Sequence, residues 1–138
     1  MFEVKLLTPT AKIPTRGSVQ AAGLDICSDE NGTVGKGYTT AFSTGIAVKI
    51  PEGFVGLVKP RSGFAFSYGV DSMAGVIDSD YRGEIKVLLT SHNYEIEIAK
   101  GERIAQLLIL PVMMLTPIQV DELDVTERGE NGLGSTGK

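Results

Sequence analysis

The chain has 138 residues, of which 42% are hydrophobic and 22% charged, an ordinary composition for one globular domain. A formal net charge of −4 excludes the broad basic surface of a nucleic-acid-binding protein, but it does not exclude a small phosphate site. The single cysteine, Cys27, excludes an intrachain disulfide framework. No apolar run reaches the roughly 20 residues of a membrane helix, so we expect no membrane association and a cytoplasmic or nuclear protein.

Six short runs separated by turn-forming residues predict β-strands. They cover residues 2–7, 45–50, 54–59, 84–90, 95–99 and 103–110. Residues 62–68 form the one predicted helix, which Ser62 would cap and Gly69 would end. The pattern predicts an all-β sandwich, jelly roll or barrel over residues 1–120, followed by a mobile glycine-rich arm over residues 121–138.

Two polar residues interrupt apolar segments. Asp25 lies between Leu24 and Ile26, and in a strand it faces away from both, where an acid is usually only exposed. Gln106 stands alone in an apolar run and is either a core polar group with a partner or a ligand contact. The only histidine, His92, is predicted to be a surface residue, and Cys27 a buried, unreactive thiol.

Two loop segments have a chemical and a structural interpretation. In residues 60–63, Arg61, the Ser62 hydroxyl and backbone N–H groups at a helix start would suit a phosphate, although a plain helix cap is the favoured explanation of this segment taken alone. In residues 75–84, a carboxylate such as Asp78 could activate water and the Tyr81 ring could lie against a sugar. A solvated hairpin tip is the structural alternative for that segment.

The C-terminal segment 128–138 is rich in glycine and contains Arg128, Ser135 and Thr136. Its backbone N–H groups, hydroxyls and positive charges would form an anion-binding loop. A disordered terminal tail has the same composition. It is not a Walker A loop, because the closing Gly-Lys-Ser/Thr before a helix is missing.

Five segments, taken together and in this order, resemble the five motifs of the trimeric dUTPase family. They are AGLDI at 22–26, PRSG at 60–63, GVIDSDYRG at 75–83, GERIAQL at 101–107 and the glycine-rich 128–137. The resemblance covers nearly the whole chain. It implies a jelly-roll-like β-barrel, a homotrimer with active sites shared between subunits, and a C-terminal arm that closes over a neighbour's site.

The resemblance also implies an activity, the hydrolysis of dUTP to dUMP and pyrophosphate, which keeps dUTP low and supplies dUMP for dTTP synthesis. By motif position, Asp78 is the general base that activates water for attack on the α-phosphate. Tyr81 lies under the deoxyribose and leaves no room for a 2′-hydroxyl. Asp25 supports Mg²⁺ through water, consistent with the hydration shell that this ion keeps.

The remaining implied contacts are with the base and the phosphates. The hairpin around residues 72–76 would pair its backbone with uracil and exclude thymine's methyl group; the site residues here are Ser72, Gly75, Val76 and the adjoining Ile77. Phosphate contacts are implied for Arg61, Ser62, Gly63 and Gln106. The closing arm would contribute Arg128, Leu133, Gly134, Ser135 and Thr136.

Three other functions compete with this interpretation. A dCTP deaminase has a related fold, but it uses a glutamate base in its third motif, whereas Asp78 and Tyr81 follow the dUTPase pattern. A regulatory protein that signals nucleotide occupancy to an unknown protein partner is compatible with the same sequence. A purely structural trimer gives no reason for Asp78, Tyr81 and Arg128 to occur together.

Leu133 departs from the family pattern, which usually has Phe at this position to stack on uracil. Base–aromatic stacking is worth roughly 1–3 kcal/mol, so we expect Leu133→Phe to bind dUTP more tightly or to close the arm better. Steady-state kinetics with dUTP measure this directly. Unchanged kcat and KM would remove the argument.

Overall fold

The computed structural model describes residues 2–132, which form ten strands and one short helix within that range. In chain order these are β1 Glu3–Leu6, β2 Leu24–Cys27, β3 Gly32–Val34, β4 Thr39–Lys49, β5 Phe54–Pro60, α1 Ser62–Tyr68, β6 Val70–Met73, β7 Val76–Ile77, β8 Glu84–Ser91, β9 Ile96–Ile98 and β10 Arg103–Pro111.

The paired strands are all antiparallel. One four-stranded sheet has the order β1-β4-β8-β6, a second has the order β2-β10-β5-β7, and β3 pairs with β9 in a small third sheet. Two multi-stranded sheets that share one core are the architecture of a jelly roll. The predicted all-β, jelly-roll-like fold with one short helix is confirmed.

The core lies between the sheets and receives alternate side chains from each. The first sheet contributes Phe42, Ile46, Val87 and Leu89, and the second contributes Ile26, Val58, Ile104 and Leu107. β9 has the alternation expected from its sequence, with Ile96 and Ile98 buried and Glu97 exposed between them. Helix α1 adds Phe64 to the same cluster. The apolar face of each element therefore points into one shared interior.

Strand β4 contains a bulge that the sequence did not reveal. Its pairing with β8 shifts register between Ser43 and Ala47, and Gly45 there has a φ of 65°. The Gly45 N–H donates to Oε1 of Glu84 at 2.9 Å, and its carbonyl accepts from Leu7 N–H at 2.8 Å. A β-bulge leaves backbone groups without ladder partners, and here a glutamate side chain satisfies one of them.

Helix α1 has the predicted limits, but one predicted cap is wrong. Gly69 ends the helix in the left-handed conformation, with a φ of 64°. The N-cap is Arg61 rather than Ser62, and no side chain makes a capping hydrogen bond there. Ser62 is the first helical residue, so its hydroxyl is not used by the helix end.

Five strands are predicted to within one residue at each end, namely β1, β5, β8, β9 and β10, whereas β2, β3, β6 and β7 are missed. The run at 45–50 is the second half of the eleven-residue strand β4. Strands β3, β6 and β7 have only three, four and two residues, and none of them has the strict apolar alternation of β9. Their pairing partners, not their own composition, make them strands.

After β10 the chain leaves the sheets. Residues 112–132 contain no helix or strand, and all of them are exposed. They carry large apolar side chains, including Met113, Met114, Leu115 and Ile118, which are 76–81% exposed. The predicted division into a barrel to residue 120 and an arm from residue 121 stays a prediction. In the described part of the chain, no helix is long and apolar enough to cross a bilayer.

Gly45→Ala should destabilise the fold. A Cβ at this position would lie 2.7 Å from Ala11 Cβ and 2.9 Å from Asp29 Oδ2, and the positive φ disfavours any side chain. We expect the free energy of unfolding to fall by about 2 kcal/mol or more, measured by chemical denaturation. Gly17→Ala is the matched control, since nothing lies within 4 Å of its added Cβ. Equal losses in the two variants would contradict the prediction.

Candidate active site

The segment predicted as a hairpin is a tight turn that joins β6, in the first sheet, to β7, in the second, and it forms one wall of a cleft. Its two turn residues, Ala74 and Gly75, both have positive φ, 56° and 99°. Gly75 accepts a 2.8 Å hydrogen bond from Val58 N–H, and a Cβ on Gly75 would lie only 2.7 Å from the Val58 carbonyl oxygen. The turn therefore lies against β5 at a distance that only glycine permits. The Ser72 hydroxyl also donates to the Val58 carbonyl, at 3.3 Å.

The cleft beside this hairpin, here called the hairpin cleft, has a volume of about 350 Å³. It is lined by the predicted residues Gly75, Val76, Ile77, Asp78 and Tyr81, together with Ala74, Glu84, Ile85, Lys86 and Leu88. Asp78 is exposed. The tertiary structure thus brings together the third-motif residues and the turn that precedes them.

Tyr81 is held in a defined position although 45% of it is exposed. Its hydroxyl donates to the Glu84 carbonyl at 3.0 Å, and its N–H donates to the Asp78 carbonyl at 3.2 Å. The Arg82 guanidinium donates to the carbonyls of Ser79 and Tyr81 at 2.7 and 2.9 Å. These bonds order the loop that carries Asp78 and Tyr81.

A second, smaller pocket of about 240 Å³ lies where β2, β10 and the start of α1 meet; we call it the anion pocket. It is lined by the predicted residues Asp25, Arg61, Ser62, Gly63 and Gln106, and by Gly17, Ala21, Gly23 and Arg103. The loop before Asp25 is fastened by Arg16, whose guanidinium donates to the carbonyls of Ala21 and Ala22.

Asp25 is not the exposed acid that its sequence context suggested, because its side chain is only 15% exposed. Its Oδ1 accepts from Arg61 Nε at 3.0 Å, and its Oδ2 accepts from an Arg103 terminal nitrogen at 3.2 Å. Two guanidiniums around one carboxylate leave a local charge of about +1, which favours an anion. Both ion pairs are partly open to water, with Arg61 30% and Arg103 55% exposed.

Arg103 is a site residue that sequence reasoning missed. It begins β10 and pairs with Cys27, two residues beyond Asp25 on β2. The sequence placed Arg103 in the fourth motif segment, GERIAQL, which could have marked it as a candidate. Only the strand register shows that it reaches Asp25. Cys27 itself is half-buried rather than buried, and desolvation raises the pKa of its thiol.

Gln106 has both a structural partner and a place in the anion pocket. It pairs with Asp25 across the β2–β10 ladder, and its Nε2 donates to the Pro60 carbonyl at 3.0 Å. A Cβ on Gly23 would lie 2.3 Å from Gln106 Oε1, so the side chain occupies space that Gly23 leaves free. The amide is thereby held at the pocket wall.

Comparison with known proteins identifies the family to which the chain belongs. The dUTPase family model matches residues 9–137. A deoxyuridine 5′-triphosphate nucleotidohydrolase of Candida albicans is 47% identical over 140 residues, which are 99% of this chain and 88% of that protein. The chain belongs to the dUTPase family.

Solved structures of the family agree with this membership. The Staphylococcus bacteriophage 80alpha dUTPase with dUpNHpp is 32% identical and has a TM-score of 0.93, over 100% of this chain and 99% of that one. That work describes phage dUTPases that control transfer of virulence genes by a G protein-like mechanism. A mutant dUTPase of the S. aureus phage phi11, described with a structural Mg(II) ion, is 28% identical with a TM-score of 0.83, over 88% of this chain and 97% of that one.

Within one copy of the chain, the hairpin cleft and the anion pocket share no lining residue. Strand β5 connects them: Gly56 pairs with Ile77 next to Asp78, and Pro60 precedes Arg61. Asp78 therefore lies beside Val55, and the six residues from there to Arg61 span roughly 20 Å at the rise of a strand. One copy alone does not bring its own Asp78 close to its own Arg61.

Of the predicted arm residues, only Arg128 belongs to the part of the chain that the structure describes, and it lines neither pocket. Arg128 is exposed, and its Nε donates to the Asn131 carbonyl at 2.9 Å. Leu133, Gly134, Ser135 and Thr136 lie outside the described residues.

Asp25→Asn should weaken the fold through the two guanidiniums that it leaves without a counter-charge. Because the pairs are partly solvated, we expect the free energy of unfolding to fall by only about 1 kcal/mol at low salt, and by less at high salt. Chemical denaturation at two salt concentrations measures this. Glu3→Gln is the control: its pair with Lys49 is exposed on both sides, so we expect no measurable change. An Asp25→Asn loss that does not depend on salt would contradict the electrostatic explanation.

Proposed function

We propose that this protein is a dUTP diphosphatase that hydrolyses dUTP to dUMP and pyrophosphate by attack of water on the α-phosphate. The observation that carries the proposal is the hairpin cleft, in which a tight glycine turn, a free carboxylate and a positioned tyrosine meet in a chain of the dUTPase family. Relatives named for this activity support it.

The hairpin cleft supplies the base and sugar contacts of the proposal. β7 pairs with β5 through only two residues, and the Gly75 carbonyl accepts from Val58 N–H, so the Ala74 backbone and the Gly75 N–H are the turn groups that would face a ligand. In this proposal those groups bind the polar edge of uracil, and the close approach of the hairpin leaves no room for a 5-methyl group. Tyr81 lies under the deoxyribose.

Asp78 is the proposed general base. It is exposed at the edge of the cleft, which suits a carboxylate that must accept a proton from water. Its loop is held by the Tyr81 and Arg82 hydrogen bonds, so the carboxylate is presented from a fixed backbone. Positioning of water by such a group contributes through orientation as well as proton transfer.

The anion pocket is the proposed phosphate site. Arg61, Ser62, Gly63 and Gln106 line it, and Arg103 adds a second guanidinium. Asp25 would support Mg²⁺ through water; the donor set fits, because the pocket lining contains one carboxylate and Mg²⁺ takes its remaining ligands from water and phosphates. When bound, the ion would neutralise the triphosphate and align its α-phosphate for attack.

A homotrimer with shared active sites is part of the proposal. The roughly 20 Å of strand between the backbone positions of Asp78 and Arg61 along β5 supports a site that takes the base and the phosphate ligands from different copies. The apolar side chains exposed on residues 112–125 support association, because such a segment is costly to leave in water. Arg128, Leu133, Gly134, Ser135 and Thr136 would then close over a neighbour's nucleotide. We expect the protein to work in the cytoplasm or nucleus.

The substrate and the base are tested in one experiment. Pyrophosphate release is measured from dUTP, dCTP, dTTP and UTP, with and without Mg²⁺. We expect Mg²⁺-dependent release from dUTP alone, reduced by about 10²- to 10⁴-fold in Asp78→Asn. Asp80→Asn is the matched control, a carboxylate two residues away that does not line the hairpin cleft. Equal loss in both variants would remove the assignment of Asp78, and release of both ammonia and pyrophosphate from dCTP would favour the deaminase-related alternative.

Shared active sites are tested by mixing two inactive variants. Asp78→Asn and Arg61→Gln are unfolded together, refolded at equal concentrations and assayed with dUTP. If each site takes Asp78 from one copy and Arg61 from another, random assortment restores about one quarter of wild-type activity. Each variant refolded alone should stay inactive. No recovery in the mixture, with trimers formed, would show that one copy supplies both residues.

A regulatory role is the second candidate, favoured by the similarity to the phage dUTPase described as controlling virulence-gene transfer. Such a role requires a protein partner whose binding depends on nucleotide occupancy. Capture of a partner from the source cells only in the absence of dUTP would support it. If no partner is captured in a nucleotide-dependent way, the regulatory role is removed and only the enzyme activity is left as a candidate function.

A further inference from the structure

We infer that Glu84, together with Gly83, is the positioning element that holds the Tyr81 ring and so determines how strongly this enzyme rejects ribonucleotides. The inference rests on the proposed dUTP hydrolysis and on the proposed place of Tyr81 under the sugar. Glu84 does not itself need to touch substrate. It acts through the backbone that carries the acceptor for the Tyr81 hydroxyl.

The Tyr81 ring has one polar anchor, the 3.0 Å hydrogen bond from its hydroxyl to the Glu84 carbonyl. The ring is 45% exposed, so packing alone does not define its orientation. Rejection of a 2′-hydroxyl by clash requires a ring that does not yield, because a ring free to tilt by an ångström would admit the extra oxygen. The hydroxyl anchor is therefore a determinant of selectivity.

Gly83 provides the surface on which the ring lies. A Cβ there would come within 2.4 Å of the Tyr81 hydroxyl oxygen, 2.6 Å of Cζ and 3.0 Å of Cε2. No positive φ is found at Gly83, so its backbone conformation is accessible to alanine. The absence of a side chain at residue 83 is thus required by the Tyr81 ring and not by the backbone.

Two contacts hold the residue that carries the acceptor carbonyl: the strand pairing of Glu84 and the hydrogen bond to its side chain. Glu84 begins β8 and pairs with Ala47, just past the β4 bulge. Its Oε1 accepts the Gly45 N–H at 2.9 Å, the backbone donor that the bulge removes from the ladder. Glu84 thus connects two parts of the fold: its side chain bonds to the bulge, and its carbonyl bonds to the tyrosine that is proposed to face the sugar.

The same hydrogen bond also stabilises the bulge, so a purely structural role must be separated from positioning. Stability is read from thermal unfolding. Positioning is read from selectivity, the ratio of kcat/KM for dUTP to that for UTP, and from the ratio of affinities for dUpNHpp and its ribose counterpart by calorimetry. A purely structural role would change only the unfolding temperature, whereas a positioning role would change both selectivity ratios.

The variants are Glu84→Ala, Glu84→Gln, Tyr81→Phe and Gly83→Ala. We expect Glu84→Ala and Tyr81→Phe each to lower selectivity by roughly three- to tenfold, the size of a lost hydrogen bond. Glu84→Gln should restore it, because the amide oxygen still accepts from Gly45. Gly83→Ala should lower selectivity more, since it displaces the ring itself. Glu97→Ala, an exposed carboxylate on β9, controls for the lost charge.

A double-mutant cycle makes the test specific. If Glu84 acts through the Tyr81 hydroxyl, the double variant Glu84→Ala with Tyr81→Phe should be no less selective than Tyr81→Phe alone. Additive losses would overturn the inference, as would a Glu84→Ala variant that unfolds earlier but keeps both wild-type ratios. Failure of the proposed function looks different: the wild type itself would then show neither dUTP hydrolysis nor preference for the deoxyribose analogue.

Discussion

Both pockets depend on the pairing of strand β5 along its two edges. β10 pairs with one edge over seven residues and brings Gln106 and the β2 ladder with it, while β7 pairs with the other edge through Gly56 and Leu57. The hairpin turn then lies on Val58, at a distance that a side chain on Gly75 would prevent. A change in either register would move one set of ligands relative to the other, because each strand residue adds roughly 3.3 Å.

The charge of the anion pocket is opposite in sign to the net charge of the chain. The chain carries a net charge of −4, yet the anion pocket joins one carboxylate to two guanidiniums. Asp25 holds Arg61 and Arg103 apart and oriented, which reduces the cost of gathering two cations before an anion arrives. Its proposed second task, supporting hydrated Mg²⁺, would place a third cation near the same carboxylate. The triphosphate supplies the negative charge that makes this arrangement favourable.

Much of the fold follows from local sequence. The strands from β8 onward and helix α1 have the limits that their patterns predict, because alternation, turn residues and Gly69 act over a few neighbouring positions. The short strands β3, β6 and β7 escaped prediction because each is defined by its pairing with a strand distant in the sequence and not by a pattern of its own. The N-cap was misassigned because serine is a favoured capping residue, but Ser62 is already the first helical residue and the cap position is Arg61.

By itself the sequence determined the fold class, the family and the candidate residues, since these depend on motif order and local periodicity. Only the tertiary structure decided how those residues meet. Strand register brings Arg103 to Asp25, 78 residues away in the chain. The Glu84 side chain accepts a hydrogen bond from the β4 bulge, and the Glu84 carbonyl accepts one from the Tyr81 hydroxyl. The length of β5 separates Asp78 from Arg61 within one copy. These relations are set by packing between distant segments, which no local pattern of residues encodes.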